Sequence, residues 1–178
     1  MLYISEIQQV APTTFKTELQ KAVYTAFERL GISFERVDTD EAITMDDCVS
    51  INQKMDMDMV KTLFLCNRQQ TDFYLFITCG DKPFRSKDFS HAMGISRVSF
   101  APAELLHDML GTSIGAATAL SALSDTQKRV KIVFDNEVTS REWYGCSDGT
   151  TTSYLKLRTA DVFRFLNYTL HHPIVVNL

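Results

Sequence analysis

Two apolar runs near the middle of the chain set its pattern. Met59-Val60-Lys61-Thr62-Leu63-Phe64-Leu65-Cys66 and Phe73-Tyr74-Leu75-Phe76-Ile77-Thr78 are separated by the polar stretch Asn67 to Asp72. Short apolar runs flanking a polar break predict the two strands of a β-hairpin. The connection carries no glycine, which leaves the turn type open. Lys61 is the only charge inside either run. A strand this apolar is expected to be central, where burying an ammonium costs several kcal/mol unless it is paired or faces a cavity. Lys61 therefore either marks a site or sits at a strand end and snorkels to water.

Helical spacing appears on both sides of the hairpin. Leu19, Val23, Phe27 and Leu30 recur on one face, with Thr13-Thr14 offered as the cap, Glu18 suited to the first turn and Gly31 as the stop. Ile32 to Val37 alternates apolar and polar and predicts a half-buried strand, followed by an acidic loop from Asp38 to Glu41. Thr44 can cap a short helix whose Asp46 and Asp47 suit its positive N-terminal end. After a Lys82-Pro83 turn, a helix is expected from Ser86 to Met93, closed by Gly94, and then a short strand, Arg97 to Phe100. Pro102 opens a helix with Leu105, Leu106, Met109 and Leu110 on one face, ending at Gly111.

The stretch from Gly111 to Leu123 is dominated by small residues, which permit close backbone approach. Val130 to Asp135 reads as a strand that Arg141 to Tyr144 would continue, and Gly145 to Thr150 as a loop rich in turn formers. Thr152 to Leu157 is a further strand. Thr159 is expected to cap a last helix, and Ile174 to Val176 to add an edge strand. Helices and strands mix without regular βαβ alternation, which predicts one α+β domain over 1–178, with a mixed, mostly antiparallel sheet flanked by helices.

Composition narrows the class. The 178 residues suffice to bury about 70% of the unfolded chain's surface around one core. The 45% hydrophobic and 22% charged content is that of a soluble globular protein. A net charge of −4 offers no global attraction to nucleic acid, so an RNA partner must be gripped locally, and DNA is not expected. The N-terminus lacks the pattern of a signal peptide, and no apolar stretch reaches the roughly 20 residues of a membrane span, so a cytoplasmic protein is expected. Cys48, Cys66, Cys79 and Cys146 are scattered without C-x-x-C spacing, which predicts reduced thiols and no metal site.

No nucleophile elbow, Walker loop, dinucleotide fingerprint or H-E-x-x-H helix is present. His91 and His107 fall on expected helix surfaces, and His171-His172 before Pro173 reads as a solvated helix end. What remains is a pocket with Lys61 on its wall, backbone N–H donors from Gly111 to Gly115, and Gly145 to Thr150 as a rim. The alternative is that Gly111 merely ends a helix and Gly115 packs against the sheet.

Several segments together resemble the free-standing prolyl-tRNA editing domains, the YbaK-like and ProX-like aminoacyl-tRNA deacylases related to the insertion domain of bacterial prolyl-tRNA synthetase. The segments are Leu30 to Val37, Thr44-Met45, Val60 to Leu65, Arg97 to Ala101, Leu110-Gly111, Gly115 to Leu120 and Val133 to Asp135. The resemblance spans about Thr17 to Val176. It implies hydrolysis of the ester on a mischarged tRNA, such as alanyl- or cysteinyl-tRNA(Pro), with no cofactor and no metal. The partners it implies are the aminoacylated 3′ end of tRNA and, as a second candidate, prolyl-tRNA synthetase. Lys61 would be the catalytic contact. Thr44, Thr62, Gly115, Ala116, Ala117, Thr118, Ala119, Gly145, Ser147, Asp148 and Gly149 would surround the substrate.

The chain departs from the family pattern in the same places. Ala119 stands where the loop usually ends in proline, and Thr62 where asparagine usually follows the lysine. Gly145-Cys146 replaces a His-Pro pair and Gly149 an asparagine. The alternative reading is a non-catalytic module that binds an aminoacyl-adenosine or tRNA end.

Overall fold

A computed structural model describes residues 1–42 and 44–178. The hairpin forms as expected, with β2 over Val60–Asn67 and β3 over Phe73–Cys79, after α1 (Glu18–Leu30), β1 (Glu35–Asp38) and α2 (Met45–Met55). The chain continues through α3 (Ser86–Met93), β4 (Val98–Phe100), α4 (Ala103–Leu110), a 3-10 helix (Ala119–Ser124), β5 (Val130–Asp135) and the single turn α5 (Asn136–Thr139). It ends with β6 (Trp143–Ser147), β7 (Ser153–Arg158), α6 (Thr159–Tyr168) and β8 (Ile174–Val176).

The strands build two sheets. One is antiparallel, in the order β1-β7-β6, and the other is mixed, in the order β4-β2-β3-β5-β8. Strand β3 is the middle of the larger sheet and is buried along its whole length. Phe73, Leu75 and Ile77 pack into the main core with Val23, Phe27 and Phe165, while Tyr74 and Phe76 face a second cluster around Phe89. Burial on both faces is why this strand reads as an unbroken apolar run. A third cluster, including Val37, Ile51, Met55 and Met57, joins α2 to the smaller sheet.

Several expectations need correction. The cap of α1 is Thr17, whose hydroxyl accepts from the Gln20 N–H, not Thr13 or Thr14. The expected strand from Ile32 shrinks to Glu35–Asp38, because only there does the chain pair with β7. Strand β2 is not central throughout: β4 covers only Leu65 to Asn67, leaving the edge open at Lys61. Arg141 to Tyr144 does not extend β5. The turn α5 redirects the chain, and β6 joins the other sheet, taking Gly145 to Ser147 out of the expected loop. Thr159 is the first helical residue instead of the cap, and its hydroxyl has no hydrogen-bond partner among the described residues. His171 is buried, with Nε2 2.9 Å from Asp125 Oδ2, and is no solvated helix end. No helix among the described residues is long and apolar enough to cross a membrane.

Candidate active site

The two sheets meet at the start of the hairpin, where Met59 bridges to Gly145 in parallel. A cavity of about 400 Å³ opens there, within the size range of ligand sites. Lys61 and Thr62 both line it. Successive strand residues point to opposite faces, so a cavity that takes both must wrap the uncovered edge of β2. Opposite them stand Gly115 and Ala117 from the loop after α4, and Cys146 and Ser147 from β6. Helix α2 contributes Met45, Cys48, Val49 and Asn52. It is fixed by a capping box, in which Thr44 Oγ1 accepts from Asp47 N–H and Asp47 Oδ2 accepts from Thr44 N–H. Asn52 Oδ1 accepts the Met59 N–H at 2.9 Å and ties the helix to the foot of β2.

Lys61 is half-buried and its Nζ donates to the backbone carbonyl of Lys82. The turn carrying that carbonyl is itself anchored. Lys82 Nζ contacts Asp135 Oδ2 and Glu137 Oε1, both at 2.8 Å, and the Leu178 carbonyl at 2.7 Å. Asp135 is fully buried and also accepts from Thr78 Oγ1 at 2.8 Å. Burial alone would raise its pKa, but the donors from Lys82, the Glu137 N–H and Thr78 hold it below the ordinary carboxylate range. This network places the Lys61 ammonium on the cavity wall with a defined direction.

The loop opposite supplies backbone donors. Gly115 has φ +89°, a left-handed conformation that favours glycine. Within the described residues, the N–H groups of Gly115 and Ala117 make no hydrogen bond, whereas that of Ala116 is taken by the Ser113 carbonyl. Thr112 Oγ1 bonds the carbonyls of Ala116 and Gly149 at 3.1 and 3.2 Å and locks this loop to the turn after β6. Backbone N–H groups unpaired among the described residues, on a cavity that also takes the Lys61 ammonium, are groups of the kind that can hold a developing oxyanion. Cys146 offers no nucleophile, since burial pushes its thiol up to about 12 despite a hydrogen bond from Thr118.

Of the residues singled out in the sequence, the fold brings Lys61, Thr62, Gly115, Ala117 and Ser147 to the cavity. The others lie off its wall. Thr44 caps α2, Ala116 and Ala119 are buried, and Thr118 caps the 3-10 helix. A Cβ on Gly145 would stand 2.8 Å from Met57 Sδ and 3.1 Å from the Asp58 carbonyl, so this residue packs beneath the wall. Gly149 abuts Leu19. Asp148 is fully buried away from the cavity and accepts from Gln20 Nε2 at 2.9 Å, Tyr24 OH at 2.7 Å, and the Thr150 hydroxyl and N–H at 2.8 and 3.1 Å. Burial raises its pKa, opposed by these donors.

Sequence reasoning missed Asn52, Asp58, Asp81 and Arg141 on the lining. Arg141 Nη1 lies 3.9 Å from Asp58 Oδ2. None of these residues belongs to a periodic pattern or a motif, and only the meeting of the two sheets assembles them.

Residues 39–165 match the family model for the aminoacyl-tRNA editing domain. The chain belongs to that family, whose members hydrolyse the ester bond of aminoacyl-tRNA. A Danio rerio protein described as prolyl-tRNA synthetase associated domain-containing protein 1 is 25% identical over 170 residues, covering 94% of this chain and 90% of that one. The prolyl-tRNA editing protein ProX of Acetoanaerobium sticklandii is 25% identical over 124 residues, covering 70% of this chain and 76% of its own. A solved structure described as a candidate trans-editing enzyme for prolyl tRNA synthetase superposes with a TM-score of 0.63 at 13% identity, over 92% of this chain and 99% of that one. That last likeness establishes the fold.

Proposed function

We propose that this protein is a trans-acting cytoplasmic deacylase that hydrolyses mischarged tRNA, with alanyl- or cysteinyl-tRNA(Pro) as its substrate. The observation that carries the reading is the convergence of Lys61 with the free N–H groups of Gly115 and Ala117 on one cavity. Water attacks the ester carbonyl carbon, and the oxygen that gains negative charge is held by these amides. The bond from the carbonyl carbon to the ribose oxygen then breaks, the ribose oxygen takes a proton, and the free amino acid leaves. Lys61 orients the aminoacyl-adenosine end and adds positive charge where the oxyanion forms. Discrimination is steric, since a small pocket can exclude a proline ring. Prolyl-tRNA synthetase is the partner that would present such a substrate.

The test is release of amino acid from alanyl-, cysteinyl- and seryl-tRNA(Pro) by the purified protein beside Lys61→Ala. Loss of an oxyanion-stabilising group is expected to cost about 10²-fold in kcat. Release no faster than buffer across the panel overturns the reading.

A second reading, a binding module without turnover, is favoured by one observation. The described lining contains no histidine, and the space beside Gly145 is filled by Met57. Saturable binding of a non-hydrolysable aminoacyl-adenosine analogue, without hydrolysis of any ester in the panel, would select it.

A further inference from the structure

Trp143, the chain's single tryptophan, opens β6 with 40% of its surface exposed. Two cations lie against its ring, Lys156 Nζ at 4.9 Å and the Arg158 guanidinium carbon at 4.6 Å from the centroid. Trp143 pairs directly opposite Arg158, and Lys156, two residues back along β7, projects from the same face. Together they wall an open groove of about 690 Å³. Neither cation is locked away. Arg158 meets Glu142 at 2.8 Å in an exposed pair, an interaction worth little in water, and Lys156 donates to the Met55 carbonyl at 3.2 Å.

The groove and the cavity lie at the two ends of β6. Arg141 and Ser147, two residues before Trp143 and four after it, both line the cavity wall. At about 3.3 Å per strand residue, Trp143 lies about 13 Å along β6 from Ser147. Nucleotides stacked at about 3.4 Å would cover this span in about four steps.

We propose that Trp143, Lys156 and Arg158 form the docking surface for the single-stranded nucleotides that precede the aminoacylated adenosine, an inference that rests on the function proposed above. One base stacks on the exposed part of the indole, and the adjoining phosphates face Lys156 and Arg158. An aromatic platform flanked by cations is the chemistry by which proteins hold single-stranded RNA without base pairing. Glu35, directly across from Lys156 on β1, with Glu28 and Asp161 makes the β1 side of the groove acidic, which would keep a phosphate backbone on the Trp143 side of β7. A chain of net charge −4 has no general attraction for tRNA, so such a local grip supplies what its overall charge withholds.

The single tryptophan makes the test direct. A four-nucleotide single-stranded RNA ending in adenosine, and deacylated tRNA(Pro), are titrated into the protein while indole emission is followed. Saturable quenching that weakens with salt is expected, and Arg158→Glu lowers the affinity about tenfold and flattens the salt dependence. In parallel, Trp143→Ala is compared with the wild type on alanyl-tRNA(Pro) and on the short ester alanyl-adenosine. The preference for the tRNA over the short ester is expected to fall about tenfold, through KM. Unchanged emission at saturating RNA, or equal losses on both esters, overturns the proposal. Quenching without hydrolysis of any ester upholds the docking surface and overturns the catalytic reading instead.

Discussion

Asp148 is the sharpest test of how the cavity is built, because its polar neighbourhood in the sequence points to substrate contact and the fold buries it elsewhere. Replacing it with alanine strips the acceptor from four donors at once: Gln20 Nε2, Tyr24 OH, and the Thr150 hydroxyl and N–H. Each buried donor left unmade costs about 1–3 kcal/mol, offset by relief of the carboxylate's own desolvation, for a net loss of about 3 kcal/mol. In a domain of this size that lowers Tm by about 6 to 12 °C. Asp148→Asn keeps part of the acceptor set and loses about 1 kcal/mol at acid pH. The pH dependence has a definite sign. The folded pKa of Asp148 is raised above its ordinary value of 3.8, so its contribution is fully present below that value and declines as pH rises through the folded pKa. The stability gap between wild type and Asp148→Asn is therefore larger near pH 4 than near pH 8. Thermal unfolding followed by circular dichroism across that range measures it. A gap that narrows on acidification refutes the reasoning. So does an Asp148→Ala protein that unfolds like the wild type but hydrolyses no ester, since that would return Asp148 to the site.

Two further outcomes probe the supports of the cavity. Lys82→Met leaves the buried Asp135 carboxylate without its ion pair and is expected to cost about 3 kcal/mol at neutral pH. Because the folded pKa of Asp135 is depressed, the loss fades as pH falls below about 3.8, the reverse of the Asp148 pattern, and urea unfolding at pH 3 and pH 7 reads the difference. Gly149→Ala must adopt φ +102° with its Cβ 2.9 Å from Leu19 Cδ2, and is expected to lose about 2–3 kcal/mol in the same measurement.

The fold was most legible where one local rule acts alone. Thr44 with Asp47, Gly31, Gly94 and Gly111 bound their helices where capping chemistry places them, and the hairpin stands where its two apolar runs lie. Legibility failed where tertiary pairing decides. The segment Arg141 to Tyr144 has the composition of a continuing strand, yet its partner is β7, which lies later in the chain. His171 follows a helix and precedes a solvent-facing histidine, but the Asp125 carboxylate reaches it from 46 residues away. The cavity divides the same way. Lys61 stood out because a lone charge in an apolar run demands an explanation, and Gly115 because small residues permit close approach. Asp58 and Arg141 gave no such signal, and Asp148 gave a false one, since acidic turn residues serve buried networks as readily as sites.

The substitution of glycine where the family resemblance places a histidine is a packing fact before it is a chemical one. Any side chain at position 145 would displace Met57 and press on the Asp58 backbone, and these two neighbours lead directly into Met59 and the foot of β2. Gly145 and Met57 thus form one solution to filling that space, and a histidine at 145 would require Met57 to swing away and the Asp58 carbonyl to yield by a few tenths of an ångström. If the protein turns over an ester as proposed above, the work falls to groups this cavity already holds. Those groups include an ammonium aimed by an anchored turn, two backbone amides unpaired among the described residues, and the carboxylates of Asp58 and Asp81 on the lining. Cys146 is excluded as a nucleophile by its buried, protonated thiol. On the function proposed above, such a site would act on an ester by electrostatics and placement, and the aim of Lys61 through the Lys82 turn would then matter as much as its charge.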